Sequence, residues 1–420
     1  MILELLVYIH DVVVIFSTSA EGLQDRLRKL EKFCGDWCMK VNIKKTKILI
    51  FNKAGRKINE KFTFQDKELE CVQNYRYLGV HFTASGSFHY MRNELYNKAL
   101  KAYFKLRSNF LNNNPSIKTC LHIFDHTLKP IILYNSEVWG SYCASNAKMR
   151  LTIELDNIFK NVPCEKLHIK FSKHILGVHK KSVNFAVLAE LGRFPLYYDI
   201  IKSILKYLYR FENLPADCSI LKDAYIFSKN LDNGGNHSWY TFARKLMDLL
   251  DIKKDSLKYN KNKFSTLMER KIRAKLLDNW YKSRSSNVEG KLCTYLKVKD
   301  HFGFENYLTC INNFKSRKAL CGFRISAHTL QIEKGRFSKI PREERICKNC
   351  SLNKIEDEEH FLCQCPKFDD MRRELFEFIN TKFPNFNNLN NEAKLIFLLS
   401  NEDPDILVRT ANFILTNLKV

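Results

Sequence analysis

Two short apolar runs at the start of the chain are separated only by His10 and Asp11. The runs, residues 5–9 and 12–16, contain only leucine, aromatic and β-branched residues and have the length of a strand. A two-residue polar connection between such runs predicts a tight β-hairpin. Hairpin turns favour Asn-Gly or Asp-Gly because they need positive φ, so His-Asp is a poor turn sequence. A solvated turn is the simplest interpretation of these twelve residues alone.

The residues that follow the hairpin predict one helix and several strands. The helix covers residues 18–41, and Thr18 and Glu21 stand at its start with the spacing of a capping box. Its predicted buried stripe consists of Leu23, Leu27, Leu30, Cys34 and Trp37. The predicted strands are residues 45–51, 61–72 and 74–82, with a turn at residues 84–87.

Beyond residue 88 the apolar positions recur mainly at helical intervals, up to about residue 296. Breaks in this pattern fall at residues 112–116, near Pro163, at residues 192–195 and at residues 232–236. The last break, DNGGN, is the strongest linker candidate because Gly-Gly between Asn and Asp has no use in a helix. We therefore predict an α+β fold that is mostly helical, with the strands confined to residues 1–87.

Composition adds a strong basic excess to this picture. The 420 residues carry a net charge of +24, and 45% of them are hydrophobic, so the chain is expected to fold and to bind a polyanion. RNA or DNA is the expected partner, and an anionic membrane surface is the alternative. No run of eighteen apolar residues is present, so we expect an intracellular protein of the nucleus or cytoplasm with no membrane partner. The 14 cysteines favour reduced thiols and metal ligands over disulfides.

The basic charge is concentrated in a segment that reads as one helix. Residues 251–300 contain fourteen Lys or Arg and six Asp or Glu, and the stretch 269–284 places its basic residues opposite an apolar stripe. Trp280, Tyr281 and Tyr295 interleave with these charges. A phosphate-tracking surface with stacking aromatics is the favoured interpretation, and a solvated helix face is the alternative.

A cysteine cluster near the C-terminus has the spacing of a zinc site. Cys347 and Cys350 form a C-x2-C knuckle, and His360 and Cys365 follow within nineteen residues of the first cysteine. Cys363 is an alternative fourth ligand. The four positions predict a structural Zn²⁺ site, because none is left open for water. We expect the acidic run EDEE before His360 to be solvated, with a hydrogen bond to the histidine ring as the alternative.

Seven short motifs occur in an order that resembles one family. They are the hairpin turn Y-x-x-D, MKVNIKKTKILIF, YRYLGV, TLKPIILYNSEVWG, LGVHKKSVNFAVLAELGRFPL, RISAHTLQIEKGRF and the cysteine cluster with EDEEHFLCQCPKF. Together they resemble the downstream part of a non-LTR (LINE, jockey-like) retrotransposon reverse transcriptase, over residues 8 to about 375. The resemblance implies a partial palm at 1–87, a helical thumb at 88–231, a basic helical connector at 232–315 and a zinc-knuckle C-terminal domain at 316–420.

The resemblance also implies an incomplete polymerase site. The family's hairpin turn reads Y-x-D-D, and here Tyr8 and Asp11 match while His10 occupies the first Asp position. The family joins nucleotides with two Mg²⁺ ions, which lie about 3.5–4 Å apart and need clustered carboxylates. A further family aspartate lies upstream of this hairpin, and only seven residues precede Tyr8. We therefore expect no polymerisation by this chain alone, and we expect Met1 to be a false start if palm coding lies upstream.

Other residues match parts of the family that hold substrate. Lys45, in the segment N-x-x-K-T, corresponds to a lysine proposed to act on the pyrophosphate leaving group, and an exposed basic residue is the alternative. Tyr77, Leu78 and Gly79 match the YLG turn of the primer grip, and the alternative for the first two is ordinary strand core. The last candidates lie in the first thumb helix and are either phosphate ligands or a solvated face: Lys98, Lys101 and Lys105.

Three functions remain open from the sequence. The first is a truncated reverse transcriptase, an RNA-directed DNA polymerase by kinship that is inactive alone. The second is a nucleic-acid-binding zinc protein that kept the thumb and zinc domain for RNA or DNA contact. The third is a structural protein or a non-functional remnant of an element. Apolar surroundings predict structural roles for Glu137, Trp139 and Arg193.

Overall fold

The computed structural model describes residues 7–9, 12–52, 55–56, 58–143, 155–159, 162–215, 219–285 and 290–418. Within these residues the chain is mostly helical and carries only small sheets, which confirms the predicted α+β class with a helical majority. The named strands all lie before residue 84, as the alternation of apolar and polar positions predicted.

The strands of the described part are β1 (Val7–Ile9), β2 (Val12–Val14), β3 (Lys47–Leu49), β4 (Phe62–Phe64), β5 (Lys67–Val72), β6 (Asn74–Tyr77) and β7 (Val80–Thr83). The α-helices of the described part are α1 (Ala20–Asp36), α2 (His89–Asn109), α3 (Ile117–Ile123), α4 (Lys129–Ile132), α5 (Ser136–Trp139), α6 (Leu155–Phe159), α7 (Pro163–Leu176), α8 (Asn184–Glu190), α9 (Tyr197–Glu212), α10 (Ser219–Asn233), α11 (Trp239–Leu249), α12 (Lys261–Ser285), α13 (Cys293–Val298), α14 (Tyr307–Cys310), α15 (Phe314–Arg324), α16 (Gln331–Phe337), α17 (Asp369–Lys382), α18 (Asn391–Ser400) and α19 (Pro404–Asn417).

The N-terminal strands form three small sheets. Strands β1 and β2 pair antiparallel, as the hairpin prediction requires. Strand β5 lies between β3, to which it is parallel, and β4, to which it is antiparallel. Helix α1 packs on β4, and the apolar side chains between them form a small core of their own. Strands β6 and β7 pair as a hairpin.

Helix α1 differs from its prediction at both ends. Ser19, rather than Thr18, caps it, because the Ser19 hydroxyl accepts the Gly22 backbone N–H at 3.1 Å. Leu27 and Cys34 of the predicted stripe are buried, but Trp37 is 70% exposed. The helix has ended at Asp36, so the helical spacing that would have turned Trp37 inward no longer applies.

The remaining helices share one hydrophobic core, which extends from Phe88 to Leu418. The predicted divisions at residues 231/232 and 315/316 both fall within this core. The linker candidate 232–236 joins α10 to α11, and these two helices pack against each other. Helix α12 presents its predicted apolar side to the core, with Ile272, Leu276 and Trp280 all buried. Among the described helices, none is both long and apolar enough to cross a bilayer.

Candidate metal centre and nucleic-acid interface

A short hairpin carries the first two cysteines of the cluster. The Cys347 backbone N–H donates to the Lys354 carbonyl at 2.8 Å, and Asn353 turns the chain with a φ of 50°. Cys350 lies between Cys347 and Asn353, in the turn. The Asn349 backbone N–H points at the Cys347 sulfur at 3.4 Å, a contact that favours a negatively charged thiolate there.

A tight helical turn carries the other two candidate ligands. Residues His360–Gln364 form one turn of π-helix, which the Cys365 backbone N–H closes by donating to the His360 carbonyl at 2.8 Å. Residues five apart in such a turn are neighbours, so His360 and Cys365 lie side by side. The Asp357 carboxylate accepts the His360 backbone N–H at 2.9 Å and fixes the start of the turn.

The hairpin and the π-helical turn bring the four candidate ligands together. The sulfurs of Cys347, Cys350 and Cys365 and a ring nitrogen of His360 all lie within 4.8 Å of one another. The Cys347 and Cys365 sulfurs are 4.0 Å apart, and the Cys350 sulfur is 3.4 Å from Nε2 of His360. A tetrahedral zinc with bonds of about 2.3 Å to sulfur and about 2.0 Å to nitrogen requires edges of about 3.8 Å and 3.5 Å. The cluster therefore has the dimensions of a structural zinc site.

Burial keeps the Cys347 and Cys365 thiols of the cluster protonated, which disfavours metal binding, and a bound cation would reverse this. Burial is the main cause that raises the pKa of the Cys347 thiol to about 12, and the neighbouring Cys350 and Cys365 act in the same direction. Burial also raises the pKa of Cys365 and lowers that of His360, so the imidazole is neutral at pH 7. A divalent cation deprotonates coordinating thiols outright. Three soft sulfur donors and a neutral imidazole are the ligand set that Zn²⁺ prefers.

The acidic run before His360 is not solvated, contrary to our expectation. Glu356 and Glu358 are only 5% and 4% exposed. The Glu356 carboxylate accepts the Asn349 side-chain amide at 2.7 Å and thereby braces the hairpin that carries the knuckle. The Glu358 carboxylate accepts a hydrogen bond from Nε2 of His328 at 2.9 Å, which ties the RISAHT and EDEEH motifs together. The expected alternative is wrong as well, because Nδ1 of His360 has no hydrogen-bond partner in the described part of the chain.

Cys363 lies apart from the cluster. Its thiol is directed to the Asn391 carbonyl, 3.6 Å away, and burial raises its pKa to about 12. The π-helical turn explains why Cys363 lies apart, because residue 365 and not residue 363 lies beside His360 in such a turn. The geometry therefore selects Cys365 as the fourth candidate ligand.

The hairpin at the start of the chain is formed as its pattern predicted. Tyr8 pairs with Val13 and Ile9 with Val12, so the two strands have the register that the predicted hairpin requires. The turn residues His10 and Asp11 lie outside the described residues.

Lys45 is exposed in a turn before β3. Its backbone N–H donates to the Asn42 side chain at 3.1 Å, and the Thr46 hydroxyl donates to the Asn42 carbonyl at 3.0 Å. The N-x-x-K-T segment therefore folds as an Asx turn. This turn accounts for Asn42 and Thr46 and leaves the Lys45 side chain in solvent.

The segment predicted as one strand at 74–82 is a hairpin, and Leu78 and Gly79 are its turn. Leu78 has a φ of 45° and is 58% exposed, so the alternative of a core residue is wrong for Leu78. Two adjacent positive φ values match the twist of antiparallel strands, which explains the two-residue turn between Tyr77 and Val80. The Tyr134 hydroxyl donates to the Leu78 carbonyl at 3.0 Å, so the LYNSEVWG motif holds this turn.

The helix predicted to carry phosphate ligands is α2. Its buried side contains Leu95, Ala99 and Tyr103, while Lys98, Lys101 and Lys105 are exposed. Lys98 lies 3.6 Å from a Glu94 carboxylate oxygen. The other two lysines have no ion-pair partner in the described part of the chain.

The basic helix α12 is formed, but its aromatic residues differ from the prediction. Trp280 is 5% exposed and Tyr295, in α13, is fully buried, whereas Tyr281 is 45% exposed. Trp280 lies on the stripe that faces the core, so only Tyr281 of the three is available to stack on a base. Arg270 and Arg273 are exposed and have no ion-pair partner among the described residues.

Two of the residues predicted to be structural, Trp139 and Arg193, have structural side-chain contacts. Trp139 is buried and donates to the Tyr134 carbonyl at 2.7 Å. Arg193 binds the Asp125 carboxylate with two hydrogen bonds of 2.6 Å. Burial raises the pKa of Asp125, but the hydrogen bonds and charge of Arg193 outweigh it, so that pKa is lowered. The Glu137 carbonyl accepts the Trp239 indole N–H at 2.7 Å.

Comparison with known proteins identifies no relative, since no protein-family model and no curated protein matches this chain.

Proposed function

We propose that this chain is the downstream part of a non-LTR retrotransposon reverse transcriptase that binds RNA or DNA, is stabilised by zinc and joins no nucleotides alone. The order of its seven motifs supports the kinship, and the Cys3His cluster supports the zinc. The observation that carries nucleic-acid binding is a set of exposed cations without acidic partners, in a chain of net charge +24.

Four of these cations lie on two helix faces. On α2 they are Lys101 and Lys105, and on α12 they are Arg270 and Arg273, each opposite a buried stripe. Cations that are already paired gain less from a phosphate, because they must give up a carboxylate first. Unpaired cations on a helix face are therefore the groups most available to a phosphate backbone.

A salt titration of RNA binding tests this proposal. Binding of a single-stranded RNA oligonucleotide to the whole chain is expected to weaken log-linearly with salt. The double variant Arg270→Gln with Arg273→Gln should lower the slope by about 0.7 for each phosphate group that the variant no longer neutralises. Lys282→Gln is the matched control, because Lys282 lies on the same helix and is paired with Asp278 at 2.8 Å. Binding without salt dependence, or an equal effect of the control, contradicts the proposal.

The absence of polymerisation follows from the chemistry of the hairpin turn. Among residues 8–11 Asp11 is the one carboxylate, and His10 offers a nitrogen donor that Mg²⁺ binds poorly. Two bridged Mg²⁺ ions require more than one carboxylate. Primer extension on an RNA template with Mg²⁺ or Mn²⁺ should therefore yield no product, and His10→Asp should not restore it. Robust extension by the purified chain refutes this proposal.

A nucleic-acid-binding zinc protein without a polymerase role is the second candidate. His10 favours this second candidate, because a protein that binds nucleic acid without joining nucleotides does not need the lost catalytic carboxylate. Expression of the chain with upstream palm and fingers distinguishes the two. Restored extension by the longer His10→Asp protein supports the first candidate, and continued inactivity supports the second.

A further inference from the structure

A cavity of about 280 Å³ lies where three distant segments of the chain meet. Its walls come from the loop after α2, from the C-terminal end of α7 and from the first turns of α15. The polar and cationic residues of the wall are Asn112, Asn114, His174, Arg317 and Lys318. None of the residues that line the cavity is an aspartate or a glutamate.

Arg317 is a buried cation that has no acidic partner among the described residues. It is 7% exposed, and its hydrogen bond in the described part of the chain goes from Nη1 to the Ile311 carbonyl at 2.8 Å. Arg324, on the same helix, is 1% exposed and binds the carboxylates of Glu190 and Glu305 at 3.0 and 2.7 Å. Buried charges are normally paired with groups of opposite charge, as Arg324 is. The guanidinium of Arg317 instead reaches a cavity wall.

The Cys120 thiol in the cavity wall does not supply the missing anion. Cys120 also lines the cavity, and the charge of Arg317 lowers its pKa. Burial acts in the opposite sense and is the larger effect, so the pKa of Cys120 is raised to about 11. The thiol is therefore neutral at pH 7, and Arg317 keeps an uncompensated positive charge.

The rest of the wall adds further hydrogen-bond donors and positive charge. Lys318 is half-buried, and its stem packs against Gly177, where an added Cβ would lie 3.0 Å from the Lys318 Cγ. The cavity also includes Phe314, the first residue of α15, so the positive end of that helix lies at the site.

We propose that this cavity binds a phosphate group, which Arg317 and Lys318 contact directly. The assignment of that phosphate to the backbone of an RNA or DNA strand rests on the proposed function. Helix α2 supports the assignment, because it carries Lys101 and Lys105 and ends at Asn109, three residues before Asn112 of the wall. A strand that follows the exposed lysines of α2 is thereby led to the cavity.

The test compares three single substitutions in the whole chain. Arg317→Met and Lys318→Met remove the proposed phosphate ligands, and Lys315→Met removes an exposed lysine of the same helix that does not line the cavity. A charged hydrogen bond is worth enough that Arg317→Met and Lys318→Met should each weaken single-stranded RNA binding roughly tenfold. Each should also lower the salt slope by about 0.7, and Lys315→Met should change both less.

Inorganic phosphate alone is the second probe, and it separates a binding role from a structural one. Phosphate should raise the thermal unfolding midpoint of the unaltered chain above its value in chloride of equal ionic strength. Arg317→Met and Lys318→Met should lose this phosphate-dependent rise, while Lys315→Met should keep it. A residue with only a structural role would lower the midpoint in both salts equally.

Each result decides the proposal. Equal RNA binding by all variants together with equal phosphate stabilisation of all of them, or an equal loss with Lys315→Met, overturns the site while leaving salt-dependent RNA binding of the unaltered chain intact. If Arg317→Met fails to fold, Lys318→Met decides, because its side chain is half-buried at the surface. Phosphate stabilisation without any change in RNA affinity supports a site for free phosphate and overturns the strand assignment. Failure of the unaltered chain to bind RNA refutes the proposed function, and the phosphate probe then still decides the site.

Discussion

Replacing Cys365 with serine should release the metal, and replacing Cys363 with serine should not. The two thiols are two residues apart and both are substantially buried, but only Cys365 lies in the cluster with Cys347. The Cys363 thiol is directed to the Asn391 carbonyl instead. The pair therefore separates loss of a ligand from loss of a buried thiol.

The expected magnitude follows from the number of ligands. Structural zinc binds to small modules with about 10–16 kcal/mol, so one ligand in four accounts for about 3–4 kcal/mol, or two to three powers of ten in affinity. The hairpin that carries Cys347 has little apolar burial of its own, because most of residues 338–354 are exposed, and hydrogen bonds such as that from Asn349 to Glu356 support it instead. The following segment is different, since Phe361 and Leu362 are buried in the main core. Loss of metal should therefore open the hairpin locally and leave the helical core folded.

Metal content and proteolysis measure the two effects. The unaltered chain and Cys363→Ser should retain one zinc per chain after equilibration with a competing chelator, and Cys365→Ser should lose it. Trypsin should then cut Cys365→Ser after Lys348 or Lys354, which are exposed lysines of the hairpin. Far-ultraviolet circular dichroism should change little, because the helices lie outside the hairpin.

Two results would refute this reasoning. The first is an unaltered chain that purifies without metal and is indifferent to added Zn²⁺ and to chelators. The second is equal metal loss in the Cys363→Ser and Cys365→Ser proteins, which would show that the thiols act through packing and not through ligation.

Three further predictions concern the scaffold that carries these sites. Arg324→Met leaves the buried carboxylate of Glu190 without its cation, so urea unfolding should show a free energy of unfolding that is lower by about 3–5 kcal/mol. If Arg324 had no buried partner, the substitution would lower this free energy far less. The pKa of Asp125, which pairs with Arg193, is lowered, so the ionised carboxylate stabilises the folded protein at pH values above the unfolded pKa of about 3.9. This stabilisation is lost as the pH falls through the folded pKa. Asp125→Asn should therefore flatten the acid limb of a plot of stability against pH, and an unchanged acid limb would contradict the pairing. Leu78→Gly should raise the free energy of unfolding by about 1 kcal/mol, because leucine is strained at positive φ, and a lower thermal midpoint would count against that turn geometry.

Local patterns in the sequence were sufficient for the candidate zinc site and for most secondary structure. The ligands lie within residues 347–365, so short-range geometry alone brings them together, and their spacing is legible without the fold. The same holds for the paired strands at residues 7–9 and 12–14 and for the buried stripe of α12, because apolar runs and helical periodicity are properties of neighbouring residues.

Features that depend on distant segments were decided only by the tertiary structure. The strand pattern of residues 74–82 did not show that Tyr134, fifty-six positions later, donates a hydrogen bond to the Leu78 carbonyl. Glu358 looked solvated, and it is buried because His328 and its neighbours pack over it.

The cavity beside Arg317 is the clearest case of this division. The sequence determined that the chain is basic and helical, and that its cysteines are spaced for a metal. It carried no sign that, within the described residues, Arg317 has no acidic partner while Arg324 has two, since both are arginines on one helix seven residues apart. Pairing of a buried charge depends on which remote segment packs against it, and a local pattern does not contain that information.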